Sequence, residues 1–388
     1  MREPLVERMR VFGTTIFAEM SATAVRTGSV NLGQGFPDTD GPPALLEAAC
    51  AAIRSGANQY PPGRGTPELR HAIAAHQHRW YGLDVDPHSE VLVTVGATEA
   101  IAASILALCE ADDEVVVLEP YYDSYAASIA LAGAVRRTVP LRPPTFELDV
   151  DALAAAFGPR TRIVLLNSPH NPTGRVLTAT EMEAVAVLAR RHDAIVVTDE
   201  VYEHLAYDGR RHLPMAALPR MAERTLTISS AGKTFSVTGW KIGWVTGPAE
   251  LVAAVAAVKQ FLTFVSGAPF QPAVAGALGG PVEGFAERSA DMARRRDRLS
   301  DGLASAGFAV LPTEGGYFVL ADAAPLGFDD GLTLCRQMPE LVGVVAIPVR
   351  IFCDDVGPVR SLVRFAFCKR DDVLFEGLRR LRGLRPVG

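Results

Sequence analysis

The sequence lacks the features typical of secreted, membrane-bound and nucleic-acid-binding proteins. Its five cysteines are scattered without a Cys-x-x-Cys pair, which argues against a disulfide framework or a zinc-cysteine site. The 38 Lys and Arg against 44 Asp and Glu give a net charge of −6, so no basic surface is expected for nucleic acid or membranes. Apolar runs such as 100–109 are too short to span a bilayer, and the charged N-terminus lacks the apolar core of a signal peptide. We therefore expect a cytoplasmic protein.

Two further kinds of site are missing from the sequence. The eight histidines show no metal-ligand spacing, so we expect no metal, and we interpret His170 and His204 as structural residues. The segment Gly33-Gln34-Gly35 lacks the third glycine and the strand-to-helix context of a dinucleotide fingerprint. Both absences disfavour a nicotinamide-dependent dehydrogenase.

The apolar patterning predicts an α/β fold. At 388 residues the chain is long enough for two domains. Continuously apolar runs that alternate with helical stretches are typical of a mostly parallel sheet with helices on both faces. Six such runs occur, at 91–95, 114–118, 162–166, 194–198, 225–228 and 242–245. Several end in a small, hydroxyl or acidic residue (Gly96, Asn167, Asp199 and Ser229), and ligands in such folds bind at the carboxyl ends of the strands.

The chain changes character after Pro269. The charged stretch 283–302 predicts a helix, and short apolar runs at 308–311, 317–320 and 362–367 predict strands. This pattern indicates a second, smaller α+β domain.

Lys233 is the most informative residue of the chain. It directly follows a strand-like run that ends in Ala-Gly, with Ser230 three residues before it and Lys241 eight residues after it. A lysine amine that is desolvated or lies beside other cations loses its proton and can form a Schiff base with a carbonyl. A hydroxyl and a second cation both suit a phosphate. The alternative, a surface lysine in a turn, does not account for these neighbours together.

Other strand ends carry complementary groups. Gly96-Ala97-Thr98 opens a helix after a strand, which suits an anion, although an ordinary helix cap is an equal alternative. Asp199 ends a buried strand, where a carboxylate needs a partner, although alone it would more simply be a helix N-cap. Arg364 lies on an apolar strand pattern, and its planar guanidinium suits a carboxylate. The segment from Asn171 to Gly174 is an ordinary turn when taken alone.

Together, these motifs resemble the fold-type I pyridoxal-phosphate aminotransferases of classes I and II. The likeness is greatest to the branch of kynurenine aminotransferases, glutamine transaminases and N-succinyldiaminopimelate aminotransferases, and it runs from about Phe17 to about Asp371. It implies a large domain with a mostly parallel seven-stranded sheet, a smaller α+β domain, and a homodimer with shared active sites. The implied boundaries are an N-terminal arm with part of the small domain (1–44), a large domain (45–275) and a C-terminal small domain (276–388).

The resemblance also implies a role for each site residue. Lys233, Asp199 and Tyr202 are the implied catalytic residues: Lys233 holds the cofactor and moves the proton, and Asp199 pairs with the ring nitrogen. The remaining implied residues contact the cofactor or the substrate. The cofactor phosphate is expected at Gly96, Ala97, Thr98, Ser230, Lys241 and the partner subunit's Tyr60; the ring at Tyr122, Asn171 and Tyr202; and the amino-acid substrate at Arg364, Gly35, Asn171 and Phe17.

The resemblance does not fix which reaction the protein catalyses or which substrate it uses, because several reactions occur on the same fold. A β-lyase and an amino-acid oxidase share the same residues, and a regulator domain is disfavoured by the short arm before Gly33. Ser266 and Gly267 align with an aromatic and a histidine of the kynurenine and glutamine enzymes, which predicts a more open, polar pocket. We therefore expect glutamate as donor and a long, distally carboxylated oxo acid as acceptor, as in lysine biosynthesis. A kynurenine, glutamine or methionine transaminase, with possible cysteine-conjugate β-lyase activity, is the alternative, and the short segment 350–355 leaves the distal-carboxylate contact open.

Overall fold

The structure is a computed structural model that describes residues 4–13 and 15–385. The α-helices are α1 (Ile16–Thr27), α2 (Pro43–Arg54), α3 (Pro67–Tyr81), α4 (Gly96–Leu108), α5 (Asp123–Ala132), α6 (Val150–Ala156), α7 (Ala179–Arg191), α8 (Ala231–Thr234), α9 (Ala249–Leu262), α10 (Phe270–Leu278), α11 (Val282–Ser305), α12 (Gly331–Val342) and α13 (Asp371–Leu381). The strands are β1 (Val30–Asn31), β2 (Val91–Val95), β3 (Glu114–Glu119), β4 (Val135–Pro140), β5 (Thr161–Asn167), β6 (Ile195–Asp199), β7 (Thr225–Ser230), β8 (Ile242–Thr246), β9 (Ala309–Val310), β10 (Phe318–Asp322), β11 (Val344–Val345), β12 (Ile347–Pro348) and β13 (Leu362–Ala366).

A seven-stranded sheet forms the centre of the molecule. Its strand order is β2-β8-β7-β6-β5-β3-β4, and β8 runs antiparallel to both of its neighbours while the other pairings are parallel. The strands β3, β6 and β7 are buried along their whole length, which explains why apolar or small residues fill them apart from the acidic residues at the ends of β3 and β6. The predicted mostly parallel seven-stranded sheet is confirmed.

The sheet brings the ends of four strands to one edge. The strands β2, β5, β6 and β7 run in the same direction, so the residues at their carboxyl ends lie together. The reversed strand β8 begins at that same edge, which places Lys241 beside the start of α4. The predicted helix after Gly96 is present as α4.

The predicted small α+β unit is present in the C-terminal part of the chain. Its sheet has the order β12-β13-β10-β9, with antiparallel pairing throughout. The strand β1 pairs in parallel with β11, so the N-terminal segment joins this part of the molecule. The predicted helix over 283–302 is the 24-residue α11. Among the described residues, no helix is both long and apolar enough to cross a membrane.

Candidate active site

A cavity of about 500 Å³ lies at the sheet edge, between the large sheet and the strand β13. It gathers thirteen of the fourteen predicted site residues. These are Phe17, Gly35, Gly96, Ala97, Thr98, Tyr122, Asn171, Asp199, Tyr202, Ser230, Lys233, Lys241 and Arg364.

Lys233 reaches into this cavity from the short helix α8, which follows β7. Its Nζ donates a hydrogen bond to the carbonyl oxygen of Gly35 at 3.0 Å. The hydroxyl of Tyr317 donates to the carbonyl oxygen of Lys233 at 2.9 Å and fixes the backbone there. Burial lowers the pKa of Lys233 to about 8, and the nearby cations Arg364 and Lys241 act in the same direction. A sizeable fraction of the amine is therefore neutral, and nucleophilic, near neutral pH.

Asp199 lies at the end of β6 and is 5% exposed. Its Oδ2 accepts a hydrogen bond from the Tyr125 hydroxyl at 2.6 Å, and its Oδ1 accepts one from the Val201 N–H at 3.3 Å. Burial raises the pKa of Asp199 to about 6. No helix begins at Asp199, so the alternative interpretation as a helix N-cap is wrong. A cationic N–H donor in the cavity would hold this carboxylate ionised.

The opposite end of the cavity is suited to an anion. Gly96 starts α4 with a φ of +71°, and a Cβ at this position would lie 3.2 Å from the Nζ of Lys241. Gly243 of β8 packs against this turn so closely that a Cβ there would lie 2.6 Å from the carbonyl carbon of Gly96. Ser230, at the end of β7, lines the same part of the cavity. A helix N-terminus, a hydroxyl and an ammonium group thus converge, as a phosphate requires.

Arg364 lies in the middle of β13 and is 2% exposed. Its Nη1 donates to the Asn171 Oδ1 at 2.9 Å and its Nη2 to the Gly33 carbonyl at 3.1 Å, while its buried Nε has no partner. The guanidinium carbon lies 3.8 Å from the centre of the Phe318 ring. Burial lowers the pKa of Arg364 to about 10, and no carboxylate of the described residues forms an ion pair with it. The guanidinium is therefore charged, oriented and available to a carboxylate ligand.

Two tyrosines contribute phenol groups to the cavity. Burial raises the pKa of Tyr122 to about 12 and that of Tyr202 well above its ordinary value, so both phenols stay protonated at neutral pH. The ring of Tyr202 packs against that of Tyr317, with centroids 5.1 Å apart. Asn171 is held by Asn167, whose Oδ1 accepts its backbone N–H at 2.6 Å. The predicted contacts of these side chains with a cofactor ring stay predictions.

Tyr60 is the one predicted residue that lies outside this cavity. It is 81% exposed, and its ring packs edge-on against that of Phe264, with centroids 5.5 Å apart. Ser266 and Gly267 also lie outside the cavity, so within one chain they do not widen it. A Cβ at Gly267 would lie 2.2 Å from the Cδ1 of Ile242, a residue of the cavity wall.

Sequence reasoning missed several residues of the site, among them one that supports the cavity from behind its wall. Tyr125, the partner of Asp199, lies three residues after Tyr122 in an aromatic segment that is equally compatible with simple core packing. The spacing from Tyr122 places it on the inner face of the first turn of α5 and was the one available signal. Asn167, expected at this edge as a strand end, also lines the cavity, and the missed wall residues are Thr15, Gln34, Phe36, Ile101, Asp123, Val201, Gly232, Thr238, Ile242 and Phe318.

Comparison with known proteins agrees with this geometry. Residues 27–380 match the family model "Aminotransferase class I and II". The chain is 57% identical to the "Probable N-succinyldiaminopimelate aminotransferase DapC" of Mycobacterium tuberculosis, over 98% of this chain and 99% of that protein. It is 40% identical to the "Methionine aminotransferase" of Escherichia coli, over 98% and 99% of the two chains. The solved structure of N-succinyldiaminopimelate aminotransferase from M. tuberculosis superposes with a TM-score of 0.96 at 58% identity, covering 97% of this chain and 99% of that one.

Proposed function

Because this chain belongs to the class I and II aminotransferase family, we propose that it uses pyridoxal phosphate to transfer the amino group of glutamate to N-succinyl-2-amino-6-oxopimelate in lysine biosynthesis. The observation that carries the substrate is the 57% identity over 98% of the chain to a relative named for that reaction. The cofactor rests on the chemistry of the cavity wall.

The cavity offers a matching group for each part of pyridoxal phosphate. The start of α4, Ser230 and Lys241 suit its phosphate. Asp199, with a pKa raised to about 6 by burial, suits the protonated ring nitrogen. Lys233, with a pKa lowered to about 8, suits its aldehyde carbon. The bound cofactor would supply an electron sink for the charge that develops at the substrate Cα.

The side chains around the cavity would then have separate roles in substrate binding and proton transfer. Arg364 would bind the substrate α-carboxylate through two hydrogen bonds, which fixes the Cα next to Lys233. The freed Lys233 amine would move the proton from that Cα as general base and then as general acid. Asp199 would hold the proton on the ring nitrogen, with the Tyr125 hydroxyl fixing its carboxylate. Tyr202 and Asn171 would donate hydrogen bonds to the phenolic oxygen of the ring.

We propose that the enzyme works as a cytoplasmic homodimer with shared active sites. An exposed aromatic patch supports this, since Tyr60 is 81%, Phe261 85% and Phe264 50% exposed. Tyr60 and Phe264 pack against each other, and exposed apolar surface of this kind marks interaction sites. In the dimer, Tyr60 would reach the phosphate of the partner subunit. The division of the chain at 1–44, 45–275 and 276–388 belongs to the same proposal.

The preference for a distally carboxylated acceptor rests on the interface segment as well as on the likeness. Ser266 and Gly267 follow Phe264 of the exposed patch in the sequence, and we propose that in the dimer they face the partner's cavity. Two small residues there leave room for a long polar substrate and remove ring surface that an aromatic amino acid would bury. The shared likeness to a methionine aminotransferase keeps a thioether amino acid as the second candidate donor.

The test has two arms, one for the reaction and one for the substrate. Glutamate added without an acceptor should convert the bound cofactor in one stoichiometric half-reaction, and a 2-oxo acid should restore it. The Lys233→Ala variant should show no turnover. Steady release of pyruvate from a β-substituted alanine without an acceptor would point to a lyase instead.

Specificity constants then decide the substrate. We expect kcat/KM for N-succinyl-2-amino-6-oxopimelate with glutamate to exceed those for kynurenine, phenylalanine and methionine by at least about tenfold, the effect of about 1.4 kcal/mol in transition-state binding. A preference for any of the three amino acids would overturn the substrate and leave the aminotransferase reaction standing.

A further inference from the structure

A second cavity, of about 330 Å³, lies on the other side of the segment that carries the catalytic lysine. Lys233 lines both cavities, and the residues that follow it, Thr234 to Ser236, form a wall of the second one. Tyr317, whose hydroxyl holds the Lys233 carbonyl at 2.9 Å, lines it too. Any molecule in this space would therefore contact the backbone that positions Lys233.

Arg288 gives this second cavity an unused binding group. Its guanidinium carbon lies 5.2 Å from the centre of the Phe235 ring and 4.9 Å from that of Phe285, so the group packs over this pair of rings, whose centroids are 5.7 Å apart. Within the described part of the chain, it forms no ion pair and no hydrogen bond.

The other arginines of α11 behave differently. Arg294 and Arg295 pair with Asp291, Arg296 pairs with Asp208, and Arg298 pairs with Asp371. Arg288 is half-buried, and this burial lowers its pKa. The nearby Glu287 and Tyr317 oppose this lowering only in part, so the partly desolvated guanidinium can still take an anion as hydrogen-bond partner.

The other residues that line the second cavity indicate which kind of molecule would carry this anionic group. Leu205, Phe235 and Met292 are buried and form an apolar floor. Of the acidic side chains in the walls, Asp291 is already neutralised by its two arginines, and Asp40 and Glu287 lie on the exposed rim, where water screens them. The cavity therefore combines one oriented cation with an apolar surface, which suits a carboxylate on a small apolar body.

We propose that this second cavity is a ligand site for small apolar carboxylates, held by two hydrogen bonds from Arg288, and that its occupant acts on the enzyme through the Lys233–Ser236 segment. A carboxylate and a guanidinium match in a planar, two-bonded geometry. The ligand would restrict or displace the segment that holds Lys233, so that binding alters turnover without entering the active site. Of the proposed cofactor-binding and substrate-binding residues, only Lys233 also lines this second cavity, so the proposal does not depend on the proposed function.

A soaking experiment locates the site directly. Crystals of the protein with its cofactor bound are soaked with 4-bromobenzoate, and the bromine is located by anomalous scattering. We expect bromine at Arg364 in the active site and at Arg288 in the second cavity. The Arg288→Gln variant should lose only the second position. The control variant Arg298→Gln changes the same residue type on the same helix outside both cavities, and it should keep both positions.

A binding measurement in solution tests whether 4-bromobenzoate binds the second cavity only at the high concentrations used for soaking. The variant Arg364→Gln removes the active-site carboxylate contact, so calorimetry on it reports the second cavity alone. Adding Arg288→Gln should weaken 4-bromobenzoate binding by about tenfold or more, as expected for charge-assisted hydrogen bonds. Unchanged affinity, or no bromine at Arg288 in the unmodified protein, would overturn the proposal. Since both readouts measure binding, their failure leaves the proposed aminotransferase reaction untouched, and absence of turnover would not affect them.

Discussion

Replacing Asp199 by asparagine should make the cofactor-free protein more stable while it destroys activity. Asparagine keeps the size of the side chain, and its one oxygen can accept either from the Tyr125 hydroxyl, which lies 2.6 Å from Oδ2, or from the Val201 N–H, which lies 3.3 Å from Oδ1. It removes a charge that is only 5% exposed and has no cationic partner within the cavity wall at ion-pairing distance. The variant therefore separates the effect of the Asp199 charge on stability from its effect on catalysis.

The size of the effect follows from the pKa of Asp199. Burial raises this pKa from 3.8 to about 6. Because the folded-state pKa lies above the unfolded one, the stabilising contribution of the protonated carboxyl is fully present below about pH 3.8 and is lost as the pH rises through about 6. Each pH unit in this window corresponds to about 1.4 kcal/mol, so the wild type should lose about 3 kcal/mol that the variant keeps. Lys233, with a pKa lowered to about 8, stays protonated in this window in the wild type.

The assay is urea unfolding of the two cofactor-free proteins between pH 4 and pH 7.5, at equal protomer concentration. The difference in the free energy of unfolding should grow in favour of Asp199→Asn across the window and then become constant. Activity with saturating cofactor should fall by orders of magnitude, since a neutral amide does not keep the ring nitrogen protonated. A stability difference that does not change with pH would refute the view that Asp199 is held as a strained, unpaired carboxyl.

Three further predictions test other parts of the site. Covalent capture of added pyridoxal phosphate by cofactor-free protein should speed up with rising pH and level off above about 8, the lowered pKa of Lys233; a rate independent of pH, measured by stopped-flow absorbance, would contradict this. Arg364→Gln should lower kcat/KM for glutamate by about a hundredfold or more while cofactor affinity, measured by equilibrium titration, stays the same. Gly243→Ala should weaken cofactor binding and destabilise the protein by roughly 1–3 kcal/mol, because its Cβ would meet Gly96 at 2.6 Å, whereas Gly239→Ala, with open space around it, should do neither.

The sequence predicted the sheet and its functional edge well, because burial on both faces leaves a clear pattern. The predicted runs that end at Asn167, Asp199 and Ser229 consist mostly of apolar or small residues, and each lies in a strand with a parallel neighbour in the sheet. Strands of one direction end at one edge, so the residues that follow them meet in one cavity whatever the details of the loops. The likeness to a known family then supplied Arg364, which comes from a different sheet and could not be placed by strand ends alone.

The elements that the sequence did not predict are those whose local residue pattern does not indicate their position in the fold. The strand β4 reads Val-Arg-Arg-Thr-Val-Pro and sits at the edge of the sheet, where one side faces solvent and charged side chains are tolerated. Pairing of β1 with β11 joins residues some 314 positions apart and leaves no trace in either two-residue segment. The bond from Tyr125 to Asp199 depends on how α5 packs against β6, which the spacing of aromatic residues alone does not fix.

The three main polar side chains of the cavity show why the fold and its ligands have to be considered together. In each case burial shifts the pKa in the direction that favours the neutral form. It lowers the pKa of Lys233 to about 8 and that of Arg364 to about 10, and it raises the pKa of Asp199 to about 6. Charges held in this way destabilise an empty site, and each lacks a partner that a cofactor and an amino acid together provide. A protonated ring nitrogen would pair with Asp199, a carboxylate with Arg364, and a carbonyl would consume the amine of Lys233. The charges without an ionic partner destabilise the folded protein while the cavity is empty. The same charges bind a ligand of complementary charge, and a ligand that binds only the folded state stabilises that state.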